Sequence, residues 1–192
     1  VIRRPDVLKE KLESFRNDLL MNPEISEVAN SSTIPGKEHA KRSYRSKDNS
    51  ETHLFMFNHV SFNYHKIMAL ELAAGRFFSR DHSLDGNAVV INEAAARALG
   101  FQDPVGRELS SPWHPNEPVK IIGVVKDYNI ESLHNKVEPA ALELIPRNMN
   151  GYITVKISNG ENIRETVQYV QDTWLKHANG KPFESFFFDD DY

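Results

Sequence analysis

The sequence predicts an α+β fold with two lobes, one built from both ends of the chain and one inserted between them. Residues 7–20 and 161–177 carry apolar side chains at the same helical spacing, and each segment is followed, after a proline-containing turn, by a predicted strand. This weak internal repeat indicates that the two ends of the chain pair into one α/β layer. Residues 76–145 contain mainly short strand-like runs, which predicts an inserted, mostly β lobe.

Composition places the chain among globular proteins and excludes several functions. Of the 192 residues, 40% are hydrophobic and 26% are charged, which is enough apolar material for a core. The net charge is −4, and aromatic residues are not interleaved with basic clusters, so nucleic-acid binding is not expected. The lack of cysteine rules out disulfides and thiolate metal sites within this sequence.

The first part of the chain predicts a helix, two strands and a loop. The helix starts at its N-cap, Asp6, and ends before Pro23, because proline disfavours helical backbone in the preceding residue. Its apolar stripe consists of Leu8, Leu12, Phe15 and Leu19. Residues 25–34 and 52–61 predict half-buried strands, and the polar segment 37–51 predicts an exposed loop. The basic side chains of this loop, Lys41, Arg42, Arg45 and Lys47, are predicted to be solvated.

The centre of the chain predicts a buried strand that leads directly into a short capped helix. Residues 88–91 are apolar and rich in β-branched side chains, as in a strand covered on both faces. Asn92 then provides an N-cap, the alanines after it favour helix, and Gly100 can adopt the positive φ that ends the helix. A short helix at residues 65–72 is predicted upstream of this unit.

More strands and a second long helix are predicted after the central unit. The predicted strands are 106–109, 119–127, 140–145 and 151–158, with a proline-broken loop at 112–118 between the first two. The apolar stripe of the second helix consists of Ile163, Val167, Val170 and Trp174. A turn at Asn159-Gly160 precedes this helix, and a strand is predicted from Phe183 onward.

Five motifs follow one another in a fixed order through the middle of the chain. They are Gly75-Arg-Phe-Phe-Ser79, Asn92-Glu-Ala-Ala-Ala-Arg97, Asp103-Pro-Val-Gly106, Ile122-Gly-Val-Val-Lys-Asp127 and Ser132-Leu-His134. In this order they resemble the extracytoplasmic, or periplasmic core, domain of MacB-type, FtsX-like ABC transporter permeases, in the version found in Bacteroidetes. The resemblance covers nearly the whole chain and departs from the family pattern at Tyr128-Asn129.

The resemblance implies a two-lobed fold and a mechanical function. Residues 1–75 plus 146–192 would form a split α/β porter-like lobe, and residues 76–145 an inserted, mostly β Sabre-like lobe. The domain would be a non-catalytic periplasmic part of an ABC transporter permease, on the periplasmic side of the inner membrane. It would transmit ATP-driven motion to export or extract a substrate, or to regulate a periplasmic partner.

The same resemblance implies the partners and the surroundings of the domain. They would be flanking transmembrane helices of the same permease, a cytoplasmic ABC ATPase, a second permease copy and a periplasmic adaptor. ATP would be used by the separate ATPase, with no cofactor in this domain. The sequence starts at Val1 rather than at a methionine and contains no run of roughly 20 apolar residues, so we expect an excised segment. Because both ends of the chain would belong to the split lobe, we also expect them to emerge close together.

The motif residues are the candidate site, as structural or partner contacts rather than as catalytic groups. They are Gly75, Arg76, Phe78, Asn92, Glu93, Gly100, Asp103, Pro104, Gly106, Gly123, Asp127, Ser132, Leu133, His134 and Pro139. The glycines at 75, 106 and 123 are interpreted as backbone requirements, either positive φ or close packing. His134 suits a packing role and a partner contact equally.

The sequence predicts no enzyme and no metal site. It lacks phosphate-binding glycine loops, and Ser79, Asp81 and His82 lie too close together in the chain for a catalytic triad. His53 and His59 are six residues apart, which is about 20 Å along a strand and too far for one metal ion. The acidic residues 189–191 lack the alternate spacing of a calcium loop.

Two other functions remain open at the level of sequence. A soluble module that captures a small molecule between two lobes would need a deep apolar pocket with a few convergent polar groups. A hydrolase would need perturbed titratable residues clustered in such a cleft. A structure with neither feature would favour the permease domain.

Overall fold

The computed structural model describes residues 1–3, 5–46, 51–111, 114–130, 136–144, 151–158 and 162–188. The strands in these ranges are β1 (Ile2–Arg3), β2 (Ile25–Ser31), β3 (Lys41–Ser46), β4 (Thr52–Val60), β5 (Leu72–Gly75), β6 (Ala88–Asn92), β7 (Glu108–Ser111), β8 (His114–Val125), β9 (Ala140–Leu144) and β10 (Tyr152–Ile157). The α-helices are α1 (Leu12–Leu19), α2 (Tyr64–Ile67), α3 (Glu93–Ala98) and α4 (Ile163–His177). The fold is therefore mixed α and β with few helices and one large sheet.

Six strands close on themselves through β4, and we call them the strand ring. The sheet runs in the order β4, β3, β7, β8, β6, β9, and β9 pairs back onto β4. The two edges of β4 are both used: the Met56 amide donates to Pro139 O on the β9 side, and the Phe57 amide donates to Ala40 O on the β3 side. Because the ring is closed, each of its six strands has a paired neighbour on both sides.

An apolar cluster fills the interior of the strand ring. Every strand of the ring contributes to this cluster, as do Ala95, Ala96 and Leu99 at α3. The ring members are Tyr44, Phe55, Phe57, Val89, Ile91, Leu109, Val119, Ile121, Val124 and Ala141. All five residues of β6 are buried, which confirms the prediction of a strand covered on both faces.

A second unit, which we call the helix-bearing sheet, consists of β1, β10 and β2 with α1 and α4 packed on them. The three strands are antiparallel in the order β1, β10, β2. Phe15 of α1 and Trp174 of α4 are both buried and meet edge to face, with ring centroids 5.8 Å apart. The Tyr169 hydroxyl of α4 donates to Asp18 O of α1 at 2.7 Å. The two predicted helices therefore share one core, as expected from their matching apolar stripes.

The two ends of the described chain lie side by side on the helix-bearing sheet. The Val1 nitrogen donates to Phe186 O at 2.7 Å, and the Phe186 amide donates to Val1 O at 2.9 Å. The expectation that the chain ends lie together is confirmed for these residues. Tyr192 lies outside the described residues.

The hydrogen-bonded sheet crosses the predicted lobe boundaries. β3 and β4 precede residue 76, yet they pair with β7 and β9, which belong to the segment 76–145. The division into a lobe of residues 1–75 plus 146–192 and a lobe of residues 76–145 stays a prediction. The strand ring and the helix-bearing sheet are the units that the strand pairing itself defines.

The predicted exposed loop at residues 37–51 is wrong over residues 41–46, which form β3, and its residues 47–50 lie outside the described residues. Lys41–Ser46 pairs with β4 on one side and with β7 on the other, and Tyr44 within it is fully buried. Two members of the basic cluster are not simply solvated, since Lys41 and Arg42 form ion pairs with Glu138 and Glu143, whereas Lys47 lies outside the described residues. The polar composition of β3 concealed a strand whose interior-facing side chains include charged groups.

The predicted proline-broken loop at 112–118 is wrong over residues 114–118, where β8 has already begun, and residues 112 and 113 lie outside the described residues. The register with β7 shifts there: Ser111 faces His114, and the next pair is Leu109 with Val119. Pro115 and Pro118 fall within this irregular stretch, where a residue without a backbone N–H is tolerated because the regular strand pairing is interrupted.

Smaller differences concern the ends of elements. The first predicted helix begins with two 3-10 turns, at Pro5–Val7 and Lys9–Lys11, so Asp6 is not the cap of α1. The predicted helix at 65–72 is shorter, and β5 follows it.

Ile163 is 41% exposed, so the stripe of α4 is buried only toward its C-terminal end. The predicted strand from Phe183 is a single bridge between Ser185 and Ile2, and the Asn159-Gly160 turn lies outside the described residues.

We predict that Gly123→Ala destabilises the domain by about 2 to 4 kcal/mol, because its Cβ would lie 2.2 Å from the backbone oxygen of Arg76. The measurement is the free energy of unfolding in urea. Gly86→Ala is the matched control, since nothing lies within 4 Å of a Cβ placed there, and it should change stability by less than about 0.5 kcal/mol. Equal effects of the two substitutions would contradict the close approach at Gly123.

Candidate functional site around the start of α3

Asn92 joins the start of α3 to the start of β9. Its side chain is 1% exposed, and its Oδ1 accepts from the amides of Ala95 and Ala140, both at 2.9 Å. Its Nδ2 donates to Glu138 O at 2.9 Å. The predicted N-cap is confirmed, and the same amide group also fixes the strand that closes the ring.

Asp127 adds a second cap to the same helix from the end of β8. Its Oδ1 accepts from the Ala94 amide at 2.8 Å, and its Oδ2 pairs with Arg97 Nη2 at 2.5 Å. In return, the Asp127 amide donates to Glu93 Oε2 at 3.2 Å. A carboxylate at a helix N-terminus is favoured by the helix dipole as well as by these bonds. Asp127 therefore acts together with Glu93 and Arg97, which lie 34 and 30 residues earlier in the chain.

Gly75 and Gly123 lie directly opposite each other where β5 pairs antiparallel with β8, and the two backbones approach very closely there. Gly75 has a φ of +73°, and a Cβ there would lie 2.3 Å from Ile122 O. The Arg76 amide donates to Ile122 O at 3.0 Å, and this bond holds the backbones of the two strands close together. Both glycines are backbone requirements, as the sequence predicts.

Arg76, the residue after β5, binds Asp85 and so fixes the loop between them. The guanidinium makes two bonds to the Asp85 carboxylate, at 2.8 and 2.7 Å, and the Ser79 amide donates to the same carboxylate at 2.8 Å. Burial alone would raise the pKa of Asp85, but the bonds from Arg76 and Ser79 outweigh it and lower the pKa below its usual range. Asp85 is therefore held as a carboxylate, and Phe78 between these residues is buried against Val90 and Ile122.

The remaining motif residues shape the turn after α3 and its return to the ring. Gly100 and Gly106 have φ values of +71° and +90°, and Pro104 between them is buried. The Gly106 amide donates to Ile121 O at 2.7 Å, which docks the turn on β8. Asp103 is exposed and takes part through its backbone oxygen, which accepts from Arg107 Nε.

Pro139 lies at the point where the ring closes, just before β9. Pro139 O accepts the Met56 amide at 2.8 Å and so lies at the junction between β9 and β4. Ser132, Leu133 and His134 lie outside the described residues. The structure thus brings Asn92, Glu93, Asp127 and Pro139 to one end of the ring, and whether any motif residue contacts a partner stays a prediction.

Sequence reasoning missed a buried polar cluster around Glu143 in the strand ring. The Tyr44 hydroxyl donates to Glu143 Oε1 at 2.7 Å, and Arg42 Nη1 pairs with Oε2 at 2.9 Å. The Arg42 guanidinium also lies 3.4 Å from the centre of the Phe57 ring. Burial and the neighbouring Glu143 carboxylate raise the pKa of Tyr44. The alternation of Arg42, Tyr44 and Ser46 was the signal that could have revealed this strand.

Neither a ligand pocket nor a catalytic arrangement emerges from the contacts of the described residues. A cavity bounded by Asn58, Tyr64 and Tyr128 has a volume of about 10 Å³, which is room for about one water molecule. Ser79 Oγ bonds to Asp81 Oδ2 in an exposed turn, which is local turn geometry rather than a triad. Among the described residues, no three potential ligands cluster in a way that could hold a metal ion.

The geometry of the site therefore serves architecture: it caps one helix, closes one ring and fixes the close pairing of β5 with β8. The MacB-like periplasmic core domain family matches residues 5–173. This match covers most of the chain, and the chain belongs to that family. Family members of this kind are extracytoplasmic domains of ABC transporter permeases, and no catalytic family is indicated.

Several solved structures have a similar fold, and two of them are described below. One is the periplasmic region of MacB from Actinobacillus actinomycetemcomitans, 18% identical, with a TM-score of 0.63 over 93% of this chain and 79% of that chain. The other is the extracellular domain of the ABC-type transporter YknZ from Gram-positive bacteria, 18% identical, with a TM-score of 0.67 over 91% of this chain and 88% of that chain. No curated protein matches the chain. Over the described ranges, every helix is too short or too polar to cross a membrane.

We predict that Asn92→Ala lowers the free energy of unfolding by about 2 to 4 kcal/mol, because it removes a helix cap and leaves the Ala140 amide and Glu138 O without their buried partner. Urea unfolding of the purified domain measures this loss. The control is Asn87→Ala, whose side chain makes only an exposed bond to Glu117 and should cost less than about 0.5 kcal/mol. A neutral Asn92→Ala variant would refute the role assigned to this amide.

Proposed function

We propose that this chain is the non-catalytic periplasmic domain of an ABC transporter permease, and that it transmits motion driven by a cytoplasmic ATPase. The observation that carries the proposal is the family match over residues 5–173. It is supported by the fold likeness to periplasmic and extracellular domains of two transporters. ATP is consumed outside this domain, by the ATPase.

The position of the chain ends supports a link to the membrane. Val1 and Phe186 exchange two backbone hydrogen bonds, so the polypeptide enters and leaves the described fold at neighbouring points. A domain carried between two transmembrane helices needs this arrangement. Both helices would then pull on the helix-bearing sheet, and the strand ring would be carried on top of it.

The construction of the strand ring supports a mechanical role. Its interior is filled by side chains from all six strands, and a close-packed core deforms little under load. Three motif residues fix strand ends or a close strand pairing, which preserves the shape of the ring rather than creating a binding pocket. They are Asn92, Asp127 and Gly123. Movement of the membrane helices would thus displace the ring as a body.

The partners in this proposal follow the family. They are the flanking transmembrane helices, the ATPase, a second permease copy and a periplasmic adaptor. In the porter-like and Sabre-like terms of the family, the helix-bearing sheet corresponds to the split lobe and most of the strand ring to the inserted lobe. The two periplasmic domains of a permease dimer approach and separate, and this moves a substrate or signals to a periplasmic partner.

The test is a distance measurement in the full-length permease dimer reconstituted with its ATPase. A spin label at Leu54→Cys is suitable because Leu54 is 62% exposed on β4 and this stretch contains no other cysteine. We expect the distance between the labels of the two copies to differ between the nucleotide-free and the ATP-trapped states. A mechanical coupling requires this change, whereas a passive binding module does not.

Two controls belong to this experiment. An ATPase variant that cannot bind ATP should abolish the change. Dimers in which one copy alone carries labels at Leu54→Cys and Lys120→Cys, both exposed positions of the ring, should show one distance within that copy in both states. An unchanged distance between copies in every nucleotide state would overturn the proposed function.

A further inference from the structure

The helix-bearing sheet and the strand ring meet at a short junction, where one pair of strand residues is flanked by backbone bonds from Ser32 N to His59 O and from Ser61 N to Asn30 O, both at 2.9 Å. β2 and β4 are paired only at Ser31 and Val60, whereas β2 and β10 are paired over most of their length. Gly151 crosses at this point, where an added Cβ would lie 2.1 Å from Ser31 O. The narrowest part of the sheet thus coincides with a close backbone approach. We call this junction the seam.

Polar side chains make most of the specific contacts across the seam. Asn58 of the ring accepts from Ser32 Oγ at 2.9 Å and from the Thr33 amide at 3.2 Å, and it donates to Thr33 O at 3.0 Å. Asn63, which follows β4, donates to Val28 O at 2.8 Å and bonds to Glu27. Asn58 is itself buried, so its bonds hold the junction while it is closed. When the junction opens, water can replace each partner, which keeps the net contribution of such bonds modest.

Each unit has an apolar core of its own. The cluster under α1 and α4 consists only of residues from the helix-bearing sheet, and the cluster inside the ring consists only of residues from the ring and α3. In the third cluster, Ala29 is the one buried member that the helix-bearing sheet supplies among the described residues. Two units with separate cores and a polar junction can move relative to each other while each keeps its packing.

An exposed ion pair connects the two units away from the seam. Arg80 Nη2 bonds to both carboxylate oxygens of Glu13, at 3.0 and 3.1 Å, and the two side chains are 60% and 61% exposed. Glu13 lies on α1, whereas Arg80 lies in the loop that Arg76 and Asp85 hold against the ring. Arg80 also lies over the Phe62 ring, 5.0 Å from its centre. An ion pair with this exposure is weak enough to open and close.

We propose that the seam is a hinge, and that the Glu13–Arg80 pair is a latch that holds the helix-bearing sheet closed against the strand ring. The sheet swings about the Ser31–Val60 pairing, and the latch opens when it does. This inference rests on the proposed function, since the swinging unit carries both described chain ends and would follow the membrane helices. The ring would then receive part of their motion as rotation instead of pure displacement.

The hinge is tested by a distance measured within one copy of the full-length permease in complex with its ATPase. One label is placed on α4 at Glu165→Cys and the other on β8 at Lys120→Cys, both exposed positions. We expect two distances, with populations that shift between nucleotide states. A pair within the helix-bearing sheet, Glu165→Cys with Ser26→Cys, should give one distance throughout.

The latch is tested by charge reversal. Arg80→Glu places two carboxylates together and should raise the ratio of open to closed populations about two- to fivefold, as expected for losing an exposed ion pair. The swapped variant Glu13→Arg with Arg80→Glu should restore the original ratio. Lys126→Glu is the matched control, because it breaks the Lys126–Glu71 pair, which is equally exposed but lies within the ring side of the seam.

The outcomes separate this proposal from the proposed function. A single α4-to-β8 distance in every nucleotide state, unaffected by Arg80→Glu, would overturn the hinge even if the distance between the two copies responds to ATP. Two distances whose ratio ignores charge reversal and the swap would overturn the latch. A distance between copies that never changes would overturn the proposed function, whatever the result at the hinge.

Discussion

Pairing on both edges of β4 is the constraint on which the rest of this structure depends. The first half of β4 bonds to β3, its second half bonds to β9, and its last residue reaches β2. One strand therefore closes the ring and also connects the ring to the helix-bearing sheet. Because β9 comes long after β4 in the chain, the ring can form only when segments distant in sequence meet.

The motif residues stand where this closure needs support. Asn92 lies at the end of β6 and binds the backbone at the start of β9, so it holds the strand that completes the ring. Asp127 does the same for the end of β8 by capping α3, and Gly123 allows the close pairing of β5 with β8. These residue types are required by geometry: an amide that accepts and donates at once, a carboxylate at a helix start, and a missing Cβ.

Local signals made the central unit predictable from sequence, and long-range pairing limited the rest. The buried strand of residues 88–91, the Asn92 cap and the Gly100 end are set by neighbouring residues, and all three are present. β3 was missed because its charged side chains find partners, such as Glu143, that are about 100 residues away. No local pattern reports such a partner, so Arg42 resembled a solvated loop residue.

The same limit applies to the candidate site. The sequence could single out Glu93, Arg97 and Asp127 as motif residues, but their reciprocal capping appears only when β6 and β8 are neighbours. The predicted lobes likewise followed the order of the chain, whereas strand pairing joins β3 and β4 to the middle segment. The expectation that nucleotide, metal and nucleic-acid sites are absent rests on composition and motifs alone, and it stays a prediction.

Native-state hydrogen exchange tests most directly whether the ring is closed and behaves as one body. If β4 and β9 seal it, the Met56 amide, which bonds to Pro139 O, should open with nearly the same free energy as the amides of β6 and β8, because all are lost only in global unfolding. Exchange of the β4 and β9 amides through openings more than about 2 kcal/mol cheaper than those of β6 and β8 would contradict the account. The ring would then be an open sheet that cannot carry a load.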